Sequence, residues 1–189
     1  MTDTGEPFVG RGGEKLAFAL EAFGLDVSGC VCADLGSHVG GFVDCLLRRG
    51  AGKVYSIDTA YGTLAWRLRN DPRVVVMERT NALHVTLPER VDLVTVDVGW
   101  TRQVHILPAA RRLVRPEGWI VSLVKPQYEA RPAQRRRGIV RTEHVSAVIC
   151  RVCEDLRGAG LGPTAMARSP VLGGAGNVEF FALVPGAAT

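Results

Sequence analysis

Four charged residues stand where a small or apolar side chain would be easier to accommodate: Lys15, Asp97, Lys125 and Glu179. Lys125 closes the apolar run Val121-Ser122-Leu123-Val124, and Glu179 interrupts Asn177-Val178-Glu179-Phe180-Phe181. Singly, each reads as a solvated charge at a strand edge. Together, two lysines and two acids point to a buried network. The chemistry open to such a set is proton transfer. An amine takes a proton from a hydroxyl only when its pKa falls from about 10.4 toward 7–8, which costs on the order of 4 kcal/mol. Burial and a second ammonium push that way, whereas carboxylates position the amine and oppose the shift.

A second constellation is Ala33 to Phe42, read A-D-L-G-S-H-V-G-G-F. It follows the apolar run Cys30 to Leu35 and leads into a helix-like run from Phe42 to Arg49. A strand, a tight glycine turn and a helix start bring backbone close to a ligand in a parallel α/β sheet. Gly36, Gly40 and Gly41 would permit that approach. The spacing G-x-x-x-G-G is neither the dinucleotide fingerprint nor a phosphate loop. Asp34 would repel a pyrophosphate and suit a cationic amino-acid group. The combination resembles the first motif of S-adenosylmethionine (SAM) methyltransferases. Asp58, at the end of Lys53 to Asp58, suits the two hydroxyls of a ribose. Asn81 either contacts an adenine edge or serves as a turn residue.

These residues need a scaffold that brings strand ends together. The chain has 189 residues, enough for one domain with a full core. Periodicity predicts a helix opening at Arg11 with its stripe at Leu16, Leu20 and Phe23, then a strand at Val31 to Leu35. Strands follow at Lys53 to Asp58, Val74 to Met77, Val91 to Val98 and Trp119 to Val124. Helices are expected at Gly62 to Leu68, at Val104 to Val114 with a kink or a start near Pro108, and at Glu143 to Leu156. Arg115 to Gly118 reads as a turn and Gln127 to Arg141 as a mobile loop. Met166 falls in a sixth strand and Asn177 to Val184 closes as the last. Alternating strands and helices predict an open, mostly parallel sheet with helices on both faces and an antiparallel final hairpin. Asp34, Asp58, Asp97 and Lys125 would then meet in one crevice at the carboxyl edge.

Composition narrows the classes. The net charge is +4, compatible with nucleic acid without requiring it. No apolar run is long enough to cross a bilayer and Met1 to Val9 is not a secretory signal, so a cytoplasmic location is expected. The five cysteines read as reduced thiols. Cys150 and Cys153 with Cys30 and Cys32 have a spacing a zinc ion could use, but buried core thiols are the better reading and no metal is expected.

Across nearly its whole length the chain resembles the methyltransferase domain of the TlyA (haemolysin A) family, a branch of the FtsJ-like ribose 2′-O-methyltransferases. The carrying segments are R-G-G-E-K-L (Arg11 to Leu16), D-L-G-S-H-V-G-G-F (Asp34 to Phe42), Lys53 to Arg69, Asp71 to Asn81, V-D-L-V-T-V-D-V (Val91 to Val98), L-V-K-P-Q-Y-E (Leu123 to Glu129) and G-N-V-E-F (Gly176 to Phe180). The resemblance implies a Rossmann-like fold with a seven-stranded, mostly parallel sheet and an antiparallel last strand. It implies SAM as cofactor, held by Asp34, Gly36, Ser37, His38, Gly40, Gly41, Phe42, Asp58, Asn81 and Asp97. It further implies a catalytic tetrad of Lys15, Asp97, Lys125 and Glu179, in which Lys125 activates a ribose 2′-hydroxyl for in-line methyl transfer. The domain expected is residues 11–189 behind a disordered lead or linker remnant at 1–10, without the S4-type module of long relatives. Where the family usually has Ser-Phe after the tetrad aspartate, Gly99-Trp100 stand here.

The partner implied is ribosomal RNA or a ribosomal subunit. Arg131, Arg135, Arg136, Arg137 and Arg141 cluster in one polar stretch and could neutralise phosphates beside the site. Trp66 and Trp100 are candidates for stacking on a base. Two alternatives stay open at this level: a haemolysin-like or non-catalytic binding protein, and a methyltransferase of small molecules. Oligomeric state is not legible.

Overall fold

The computed structural model describes residues 7–187. The expected lead at Met1 to Glu6 therefore lies outside the described residues. Just after it, Val9 N–H donates to Asp44 Oδ2 (3.0 Å) and Pro7 C=O accepts from Arg48 (3.0 Å).

In chain order the elements are α1 (Arg11–Ala22), β1 (Val31–Leu35), α2 (Gly41–Arg48), β2 (Lys53–Ile57), α3 (Trp66–Arg69), β3 (Val74–Met77), β4 (Val91–Val96), α4 (Gln103–Leu113), β5 (Val114–Val124), α5 (Pro126–Glu129), β6 (Arg135–Arg136), β7 (Ile139–Val140), α6 (Thr142–Gly158), β8 (Ala165–Arg168) and β9 (Phe180–Pro185). Seven strands form one sheet in the order β3-β2-β1-β4-β5-β9-β8, and β6 pairs with β7 as a separate hairpin. The β1–β2, β1–β4, β2–β3 and β4–β5 pairs are parallel, while β9 runs antiparallel to β5 and β8. The expected doubly wound sheet with a reversed last strand is the one observed.

Side-chain alternation along the strands feeds two cores, one on each face. Leu16, Leu20, Phe42, Leu46, Val121 and Phe181 fill the face covered by α1 and α2. Ile106, Leu107, Leu113, Ile120, Val152 and Leu156 fill the face covered by α4 and α6. A strand buried on both faces needs near-continuous apolar sequence, which β4 and the Ile120 to Val124 end of β5 supply.

Several elements depart from the sequence reading. The helix expected at Gly62 to Leu68 is cut to α3, because the chain ahead of Trp66 is not helical: Gly62 has φ +72°, and Ala65 is extended at ψ 137° with its N–H bonded to Val39 C=O (3.1 Å). The turn expected at Arg115 to Gly118 lies within β5, where the pairing with β4 shifts register between Val91 and Leu93. Pro108 sits inside α4, which starts at Gln103 with its N–H bonded to the buried Glu129 carboxylate (2.7 Å). The stretch Gln127 to Arg141 is built of α5, a 3-10 turn at Pro132–Gln134 and the β6–β7 hairpin. Asn177 holds that hairpin, accepting from Val140 N–H (3.0 Å) and donating to Gly138 C=O (3.1 Å). Glu179 stands one residue before β9 rather than inside it.

Candidate active site

The carboxyl ends of β1, β2, β4 and β5, with the turn after β3, open onto a cleft of about 440 Å³. Gly36, His38, Asp58, Asn81, Asp97 and Lys125 line it. The convergence expected of strand-end residues is thus realised, because in a parallel sheet every strand delivers its last residue to the same edge.

Gly36 is the glycine this geometry needs. Its φ is +90°, and a Cβ there would come within 2.5 Å of the Asp97 carbonyl oxygen. The turn after β1 and the end of β4 can therefore touch, with Asp97 N–H bonded to Leu35 C=O (2.9 Å). The other glycines serve packing. Gly40 caps α2 with φ +99°, and a Cβ would strike Leu68. Gly41 lets α2 pass close to α1, its nearest neighbours being the backbone of Gly12 and Gly13. Phe42 packs on Phe181 (centroids 6.2 Å apart) in the core. Gly40, Gly41 and Phe42 were expected at the cofactor and do not line the cleft. Ser37 is buried, and its hydroxyl donates to Asp34 C=O (3.0 Å).

Asp34 lies beneath the cleft, fully buried in β1. Thr95 donates to its Oδ1 (2.7 Å), and its Oδ2 meets no hydrogen-bond partner. Burial pushes its carboxyl up to about 7; the Thr95 hydrogen bond opposes the rise and the nearby Asp97 and Asp58 charges add to it. A buried acceptor without a donor marks a place where a ligand's cationic group fits. Asp58 fixes the glycine turn, its Oδ2 accepting from His38 N–H (2.7 Å).

Two ion pairs complete the site. Lys125 Nζ lies 2.5 Å from Asp97 Oδ1, and Lys15 Nζ lies 2.6 Å from Glu179 Oε2. Lys15 and Glu179 are both buried, and Gly173 leaves the space that the Glu179 carboxylate occupies. Lys125 also lines a second, smaller cavity, which Glu179 and Trp100 share. The four charges singled out in sequence thus form two ion pairs, and Lys125 of one and Glu179 of the other line the smaller cavity.

The model of the FtsJ-like methyltransferase family matches residues 8–184. The chain belongs to this family. The 16S/23S rRNA (cytidine-2′-O)-methyltransferase TlyA of Mycobacterium tuberculosis is 43% identical over 190 residues, covering 96% of this chain and 69% of that one. A solved candidate hemolysin from Streptococcus thermophilus superposes with a TM-score of 0.92 at 34% identity, covering 97% of this chain and 69% of that one. More distantly, a Burkholderia thailandensis N1-methyltransferase solved with S-adenosylhomocysteine shares the fold (TM-score 0.65, 20% identity, 92% of this chain and 77% of that one).

Among the described residues no group of three or more His, Cys, Asp or Glu side chains is placed to hold a metal ion. The cysteines are free thiols, and burial pushes Cys45 up to about 12. Of the expected phosphate contacts, Arg131, Arg136, Arg137 and Arg141 are exposed, with Arg141 paired to Glu143 (2.7 Å). Arg135 is partly buried and donates to Gln127 C=O (2.9 Å). Trp66 is exposed on α3 and lines neither cavity, whereas Trp100 lines both. Sequence reasoning missed Thr59, Thr80, Leu83 and Ile106 in the cleft wall, and Gln127, Tyr128 and Asn177 in the smaller cavity. Ordinary turn and helix residues carry no signal until the fold places them.

Proposed function

We propose that this chain is a SAM-dependent methyltransferase acting on the 2′-hydroxyl of a cytidine ribose in ribosomal RNA. The observation that carries the reading is the junction at Lys125, which belongs both to the cleft beside the Asp34–Gly36 turn and to the cavity beside Glu179. The cytidine-2′-O-methyltransferase activity named for the 43% identical relative supports the substrate class.

The cleft suits SAM on this chain's own features: the partnerless Asp34 Oδ2, the close turn at Gly36 and the Asp58 carboxylate at the end of β2. When bound, SAM supplies a methyl group on a sulfonium. Asp34 and the Gly36 turn would seat its amino-acid end, and Asp58 its ribose hydroxyls. Asn81 lines the far wall, where an adenine edge would lie.

Lys125 is the group placed to receive the 2′-hydroxyl proton as that oxygen takes the methyl. It must first present a lone pair, which appears only once the ammonium has given its extra proton to solvent; Asp97 at 2.5 Å orients the amine. Lys15 and Glu179 hold the opposite side, a buried cation and anion that fix the walls around the reacting oxygen. Alignment of nucleophile and donor does most of the work in such a transfer.

The exposed arginines of the β6–β7 hairpin and its flanks would meet RNA phosphates. No helix among the described residues is long and apolar enough to cross a membrane.

The test is transfer of radiolabelled methyl from SAM to ribosomal subunits and to free ribosomal RNA, with wild type and Lys125→Ala side by side. Label in a ribose from the wild type, and a loss on the order of 10²–10⁴-fold in the variant, is the expected outcome. Absence of label from RNA with SAM binding intact overturns the reading.

A further inference from the structure

Asp97 and Lys125 belong to different loops, and their 2.5 Å contact holds only while those loops keep register. The first loop runs from the end of β4 to the start of α4 at Gln103 and carries Trp100. The second leaves β5 and turns through α5 to Glu129. At their base the two are joined by the parallel pairing of Val96 with Ser122. At their rim the Trp100 and Tyr128 rings lie 5.0 Å apart. Trp100 is 87% exposed, however, and its backbone has φ +64°, so that contact by itself fixes little.

The fastening lies between base and rim, in a polar network away from solvent. Glu129, four residues after Lys125, has a buried carboxylate. Its Oε1 accepts from Gln103 N–H (2.7 Å) and its Oε2 from Arg102 Nε (3.1 Å). Helix α6 braces both partners: Arg151 Nη2 donates to the Glu129 carbonyl (2.8 Å), and Arg102 Nη2 to Asp155 Oδ2 (3.0 Å). Gln103, also buried, closes the ring onto the strand that leads to Lys125. Its Oε1 accepts from Ser122 Oγ (2.6 Å) and its Nε2 donates to Leu123 C=O (3.3 Å). The Leu123 carbonyl can only accept, which fixes the way the Gln103 amide faces.

Two donors converge on Glu129, a backbone N–H and a guanidinium, and a carboxylate offers an acceptor to each. An anion there also complements the N-terminus of α4. Neither Glu129 nor Gln103 lines the cofactor cleft or the smaller cavity, so contact with a ligand does not explain them. A buried pair of this kind adds little stability over apolar packing, and its use points to the geometry it imposes.

We propose that Glu129, acting through Gln103, is a positioning residue for methyl transfer. It fastens the loop that carries Asp97 to the loop that carries Lys125, and so aims the amine at the reacting hydroxyl. This inference rests on the ribose-methylation reading above.

The experiment compares the full chain with Glu129→Gln. That change keeps the side-chain volume but sets an amide N–H₂ against either Gln103 N–H or the Arg102 guanidinium. Titration with S-adenosylhomocysteine counts the cofactor sites. Transfer to the RNA labelled in the assay above is then followed in a single turnover at saturating SAM, per counted site. The variant should lose roughly ten- to a hundredfold in that rate, while the Kd for S-adenosylhomocysteine stays within about twofold. A residue serving stability alone would lower the number of sites and leave the rate of each unchanged, and that result overturns the assignment. So does a loss of rate matched by a loss of cofactor affinity. Where Glu129→Gln yields no folded protein, Ser122→Ala decides, since it removes the hydroxyl bonded to Gln103 and adds nothing. Its per-site rate should fall by about threefold or more, and an unchanged rate overturns the assignment. Failure of ribose methylation itself shows differently, as absence of label with wild type.

Discussion

Asp34 shows what one buried carboxylate can do. Burial lifts its carboxyl from the ordinary 3.8 to about 7. Between those values the folded chain keeps a proton that the unfolded chain releases. Its contribution to stability therefore falls as pH rises from about 4 to about 7 and is level above that. A cationic amino group seated on Oδ2 favours the ionised form and reverses the trend for binding. S-adenosylhomocysteine should bind more tightly as pH rises from about 6 to about 8, by at most about tenfold per unit. Calorimetric titration across that range checks the slope, and Asp34→Asn should flatten it. In sequence Asp34 is visible as the acid before a glycine turn. That one of its oxygens has no partner is not visible there, since it depends on Thr95 arriving from the neighbouring strand.

At the level of elements, the turn after β1 is decided by contact between two strand ends. Gly36→Ala forces a side chain at φ +90° against the Asp97 carbonyl. It should cost at least about 1–2 kcal/mol and weaken cofactor binding, because the turn must withdraw from the end of β4. Thermal melts with and without S-adenosylhomocysteine separate the two effects. The β6–β7 hairpin hangs on Asn177. Asn177→Ala removes the partners of Val140 N–H and Gly138 C=O. Amide exchange over Arg135–Val140 should then speed up while β1 and β4 stay protected. In sequence the hairpin reads as a loop because two-residue strands carry no periodicity, and its anchor lies 37 residues beyond Val140. Gly62 to Leu68 misleads in the opposite way: its composition permits a helix, but Ala65 is held extended with its N–H on Val39 C=O, so helix starts only at Trp66.

The whole molecule combines a charge of +4 with exposed arginines on one hairpin. RNA affinity should fall steeply with salt. Arg136→Ala with Arg137→Ala should lower the slope of log K against log salt by about 0.7 for each phosphate no longer neutralised on single-stranded RNA, leaving cofactor affinity unchanged. Filter binding at several salt concentrations measures it. The doubly wound sheet was already legible in the amino-acid order, since alternating strand and helix periods admit few other topologies, and with it the edge where Asp58, Asp97 and Lys125 meet. Glu179 stood out there too, because a charge inside an apolar run is costly unless paired, and Lys15 was grouped with it as a charge where a small or apolar residue would be easier to accommodate. Their partners emerged only in the folded chain: Lys15 with Glu179, 164 residues apart, and Lys125 with Asp97. Folding likewise assigned Gly36 to the cleft and Gly41 and Phe42 to packing, and it built the cavity around Gln127. Strand order follows from local pattern and chain connectivity, whereas which side chains touch is set by the packing of segments that local pattern does not relate.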